Sequence, residues 1–191
     1  MRISGFAVAA GLAFMVGGAG PRGPEQDITG THGFADAKLC TFRPAGEATF
    51  EALSRLRFRR SVAVRRDVGG VSFAIEGRRI ETKDSSGYTS ESRTTVAMPV
   101  QPAHWHGLRV TGFAVGHERP AESDSMDWRE VRLAASPVQV RRALRSLGVN
   151  VPTDGYFSAN PGAGCGEEVE SPAITVGRVA GGASIRCETG C

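Results

Sequence analysis

The stretch SVAVRRDVGGVSFAI, residues 61–75, decides the fold class. Val62 and Val64 alternate with polar or small residues, and Val71, Phe73 and Ile75 resume the alternation further on. A period of two puts such side chains on one face of a half-buried strand. Asp67-Val68-Gly69-Gly70 between the runs is a turn, because glycine reaches backbone angles that other residues avoid. Two strands therefore meet at this turn, and the rest of the chain is read outward from them.

Downstream, Glu76-Gly77 offers another turn into RRIET, residues 78–82, and KDSSGYTSES, residues 83–92, reads as a long exposed loop. TTVAMPV, residues 94–100, is a further strand. ERPAESDSMD, residues 118–127, is a second polar loop, and WREVRLAA, residues 128–135, alternates Val131 and Leu133 with charged residues as antiparallel strands do. The tail from residue 151 is rich in glycine and proline. Its short apolar pieces AITV and ASI, residues 173–176 and 183–185, pair as a small hairpin.

Two segments change the period to that of a helix. GEATFEALSRLRF, residues 46–58, spaces Phe50, Leu53 and Leu56, with Ala52, along one face and predicts a helix over 46–57. SPVQVRRALRSLG, residues 136–148, has Ser136 as cap, Pro137 at the first helical position, Gln139 completing a capping box and Gly148 as stop. Val140, Leu144 and Leu147 form its buried stripe. The expected fold is α+β: an antiparallel sheet of about five to seven strands with two helices packed on one face and a disulfide-stapled C-terminal segment.

The amino terminus sets the compartment. Residues 1–19 order a basic Arg2, an apolar run and small residues as a secretory signal does. Residues 20–39 read as a flexible leader, and residues 40–191 as a single globular domain. No later apolar segment is long enough to span a bilayer. Cys40, Cys165, Cys187 and Cys191 form an even set, which in an exported chain implies disulfides. Three pairings are open. A bridge from Cys40 to the C-terminal segment is expected, because it closes the longest loop. The protein is thus expected to be periplasmic or secreted.

Charge narrows the partners. The formal net charge is +3, and RLRFRRSVAVRR concentrates Arg55, Arg57, Arg59, Arg60, Arg65 and Arg66. Such a run is a candidate surface for phosphate, lipid headgroup or polysaccharide; its simpler reading is the solvent face of a helix end and a strand. A nearly neutral balance and export argue against nucleic acid.

Three histidines fall within QPAHWHGLRVTGFAVGHERP, residues 101–120. One continuous strand would hold the ends of the histidine set about 43 Å apart. A hairpin turning at Thr111-Gly112 would instead place His106 opposite His117, with His104 one same-face step beyond. Three imidazoles on one face can hold zinc and leave a fourth position open for water. The alternative leaves His104 and His106 in a proline-led loop around Trp105, with His117 in another loop.

No catalytic signature is present. GAGPRG, residues 18–23, follows the export signal and not a strand, and there is no nucleophile elbow, HExxH, phosphate loop or CxxC pair. The sequence therefore leads to an exported, non-enzymatic domain that binds an unknown protein or envelope component, or serves envelope structure, without a required cofactor. The alternative is a metal-binding protein or small metal-dependent hydrolase built on His104, His106 and His117.

Overall fold

The computed structural model describes residues 25–56, 64–83, 89–119, 126–159 and 172–189. The chain begins with β1 (Gln26–Asp27), a one-turn α1 (Thr29–His32), and the short strands β2 (Phe34–Asp36) and β3 (Thr41–Phe42). Then come α2 (Pro44–Arg55), β4 (Val64–Val68), β5 (Val71–Lys83), β6 (Thr89–Pro99), β7 (Ala103–Trp105) and β8 (Leu108–Arg119). β9 (Met126–Leu133), α3 (Pro137–Ser146), β10 (Ala173–Val179) and β11 (Gly182–Thr189) follow.

The main sheet runs β10-β11-β9-β8-β6-β5-β4, every neighbour antiparallel. β7 pairs the first residues of β8, and β1 adds to β7 in parallel. The sheet therefore has nine strands, and three helices lie among the described residues, both more than expected. The excess has a physical source. Short strands such as β1 and β7 are too brief to show a period, and α1 is a single turn.

Cross-strand register separates the two faces. Ile75, Ala97, Phe113, Val131, Ile185 and Val176 are successive partners across six strands, so they share one face. All six are buried. α2 covers this face over β6 and β8, where Phe50 meets Phe113 edge-on at 5.7 Å. α3 covers it over β10 and β11 through Val140 and Leu144. Full burial of each such side chain stabilises by about 1.5–3 kcal/mol.

Several expectations hold in detail. Gly69 and Gly70 both take positive φ, 55° and 80°, and close the β4–β5 hairpin between Val68 and Val71. This double positive φ is the turn that matches strand twist. At α3 the Ser136 side chain accepts from the Gln139 backbone, Gln139 answers to the Ser136 backbone, and Gly148 at φ 80° ends the helix. α2 starts two residues earlier than expected because Pro44 occupies its first turn. The C-terminal pieces do pair as β10 and β11, but β11 also joins β9, so the hairpin belongs to the main sheet.

Other expectations give way. Residues 25–39 are not a leader: Ile28 is fully buried, His32 is 1% exposed, and β1 pairs β7. Their anchors are isolated, so no periodicity announces them. Gly77 does not turn the chain, since β5 runs through it opposite Thr95. Residues 89–92 of the expected loop are strand.

Cys40 and Cys187 form a disulfide. It joins the turn after β2 to β11, as expected for a link between the start of the domain and its C-terminal segment. Cys165 and Cys191 lie outside the described residues. No helix among the described residues is long and apolar enough to cross a membrane.

Candidate functional site

The hairpin needed to gather three histidines is formed elsewhere. β8 is continuous through Thr111 and Gly112, with only a register shift against β9. The chain turns instead at His106 and Gly107, both at positive φ, 48° and 72°, so that Trp105 pairs with Leu108. His104 thus sits opposite Arg109, and His117 lies eight residues further along β8, about 26 Å away at strand rise. Among the described residues no three His, Cys, Asp or Glu side chains are grouped to hold a metal ion.

Each histidine has its own setting. The Thr29 backbone N–H and then its hydroxyl hold the Asp27 carboxyl below its ordinary value. His106 and His104 add smaller pulls in the same direction. His117 Nδ1 lies 2.8 Å from Asp127 Oδ1 on β9, with Asp127 largely exposed. His32, which the sequence placed in a leader, is packed against Phe73 and Phe113. A carbonyl only accepts, so His32 Nε2–H donates to Val68 O at 3.2 Å, which leaves Nδ1 to accept from the Thr31 hydroxyl. Burial pushes its pKa down, partly offset by that carbonyl.

The arginine run is split. Arg55 pairs with Glu51 one turn earlier in α2. Arg57, Arg59 and Arg60 lie outside the described residues. Arg65 and Arg66 are exposed on β4, an edge of the sheet, where charge also discourages pairing with other chains.

The helix-free face carries a polar cluster that the sequence did not announce. Glu130 is 2% exposed; Arg132 Nε donates to one of its oxygens at 2.5 Å, and Arg186 Nε to the other at 3.3 Å. Arg186 also lies over the Trp128 ring, 4.4 Å from its centroid. Trp128 in turn occupies the space that a side chain at Gly116 would need. The carboxylate and the two guanidinium groups satisfy one another, while the buried Trp128 Nε1–H has no hydrogen-bond partner among the described residues.

A recess of about 340 Å³ runs along α3, lined by Val138, Arg141, Arg142, Arg145, Asn150 and Pro152 among others. Arg141 is held rigidly, with its guanidinium donating to the carbonyls of Pro152, Thr153 and Val176 at 3.1–3.2 Å. Arg142 and Arg145 are exposed, and their side chains make no hydrogen bond or ion pair among the described residues. A second, wider recess of about 490 Å³ lies beside α2. There Glu47 pairs with Arg129, and Glu51 with Arg55, so its charges are already matched.

The α3 recess had a sequence signal. Val138, Arg142 and Arg145 stand at i, i+4 and i+7, a stripe distinct from the buried Val140 and Leu144. An apolar residue on an arginine stripe is the mark that was passed over. No protein-family model, curated protein or solved structure matches the chain.

Proposed function

We propose that the chain is an exported, periplasmic or secreted domain that binds a partner without transforming it. The observation that carries the reading is the chemistry of the α3 recess. Its polar lining is arginine, asparagine, threonine and backbone, with no histidine, cysteine or carboxylate among the described residues. Arginine stays protonated throughout the accessible pH range, so it binds and orients charge but does not exchange protons. Such a lining suits recognition better than acid–base or nucleophilic catalysis.

The compartment rests on two supports. The first 19 residues have the order of a secretory signal, and the Cys40–Cys187 disulfide suits an oxidising environment. The partner is a protein or an envelope component. Expression of the full chain in a Gram-negative host, with fractionation and intact mass measurement, tests this. A periplasmic product that starts near residue 20 and carries disulfides is expected. A reduced cytoplasmic product that retains residues 1–19 would count against export, and reproducible turnover of a substrate would count against a binding role.

A further inference from the structure

We infer that the recess along α3 is a binding site for a soluble phosphate or sulfate ester, with its oxyanion held by Arg142 and Arg145. This rests on the reading of the chain as a binding domain and adds, beside the protein or envelope partner, a small soluble ligand. Residues three apart on a helix are surface neighbours, with Cβ atoms about 5–6 Å apart. Both guanidinium groups therefore reach one oxyanion from the same side. Their planar donors match phosphate and sulfate geometry bidentately.

Charge selects the class of anion. Arg55 is matched by Glu51, Arg129 by Glu47, and Arg132 and Arg186 by Glu130, while Arg65 and Arg66 stand exposed on the β4 edge. At the α3 recess the Arg141 guanidinium bonds only neutral carbonyls, and the side chains of Arg142 and Arg145 bond nothing among the described residues. Three cations thus share one recess without a carboxylate among the described lining residues. A phosphate monoester brings a charge of about −1.5 to −2 at neutral pH, closer to compensation than a carboxylate. Asn150, exposed at the rim, adds an amide donor.

The rest of the lining limits the ester. Val138, 64% exposed, and Pro152 offer apolar contact beside the cations. The volume is at the small end of ligand recesses, which run from about 300 Å³ upward. Among the described residues the exposed large hydrophobics are Leu39, Val100, Val138 and Tyr156, and only Val138 lines the recess. A single valine does not insert into a bilayer, so the occupant is a soluble ester and not a membrane surface.

The test is calorimetric titration of the oxidised protein, expressed as the full chain and exported, with phenyl phosphate, inorganic phosphate and benzoate. Phenyl phosphate should bind most tightly, and benzoate at least about tenfold more weakly. Arg142→Ala and Arg145→Ala should each weaken phenyl phosphate by about tenfold or more, with unchanged circular dichroism. Val138→Ala should weaken phenyl phosphate and leave inorganic phosphate unaltered. The site is overturned by phosphate binding that ignores both arginine substitutions, by benzoate binding equally well, or by affinity only for phosphatidylcholine vesicles doped with phosphatidic acid. No phosphate binding by a folded, disulfide-bonded protein removes the site and leaves the binding-domain reading standing. Phenol release that depends on Arg142 and Arg145 supports the site and removes the non-enzymatic reading.

Discussion

Removing the disulfide by Cys40→Ala together with Cys187→Ala should cost the fold a large share of its stability. The bonded residues are 147 apart in sequence, so the bridge closes nearly the whole described chain into a loop. Loop-closure entropy for that length corresponds to about 5 kcal/mol at 25 °C. This is an upper value, because unfolded chains are already compact and the variant leaves two small cavities of its own making. A loss of about 2–5 kcal/mol is expected, against a total of about 5–15 kcal/mol for an ordinary domain. Equilibrium urea unfolding, followed by far-UV circular dichroism and tryptophan emission, measures it. The midpoint should fall and the slope should rise, since the unlinked chain exposes more surface on unfolding. A double variant within about 1 kcal/mol of the parent would refute the claim that this link constrains the unfolded chain.

Three other perturbations probe the interior. Because burial depresses the pKa of His32 below its ordinary 6.5, the unfolded state takes up the proton first as the pH falls. Stability is therefore full above about pH 6.5 and declines below it toward the depressed native value, and urea midpoints in a His32→Gln variant should lose that slope between about pH 7.5 and pH 5; an equal slope in both proteins would assign it to other groups. Glu130→Ala removes the carboxylate that Arg132 and Arg186 share and should cost about 2–3 kcal/mol, below the range for a fully enclosed pair because both arginines still touch water and Arg186 keeps Glu188 at 3.8 Å. Thermal unfolding reads this, and no loss would mean that the carboxylate contributes nothing to the sheet. Gly116→Ala would place a methyl in the space held by the Trp128 indole, so the indole must move, at a cost of about 1–3 kcal/mol. Near-UV circular dichroism in a Trp105→Phe background should change, and an unchanged spectrum would mean that the indole does not lie over Gly116.

The parts of the fold legible in the sequence are those with local chemistry. The α3 capping box and the double-glycine turn each involve only a few neighbouring residues, and they form as read. The β8 hairpin was misplaced for a reason the sequence also contains. Thr111-Gly112 and His106-Gly107 share the pattern of a residue before glycine, but a β-branched threonine resists positive φ, whereas histidine tolerates it. His106 at φ 48° is the outcome. Residues 25–39 were hidden because Ile28 and His32 are anchored by distant partners: the His104 carbonyl on β7 for Ile28, and the Phe73–Phe113 core for His32. Glu130 read as one more polar residue of an alternating strand. Only the register that brings Arg186 beside it, 56 residues further on, makes it buried and paired. The α3 recess was half legible: its arginines lie in a helix correctly placed, while the loop at 150–153 that completes it has no periodicity.

The order in which the chain is made bears on the Cys40–Cys187 bond. Synthesis runs from the amino terminus, so Cys40 is available as a thiol long before its partner exists, and Cys165 arrives ahead of Cys187. Oxidation by order of arrival would join Cys40 to Cys165, and the native bond passes over that partner. Correct pairing then depends on thiolate attack that exchanges one disulfide for another, a step of seconds to hours without a catalyst. If pairing follows that order, maturation requires isomerisation as well as oxidation, and a host that supplies oxidant alone should accumulate chains that are bonded but misjoined.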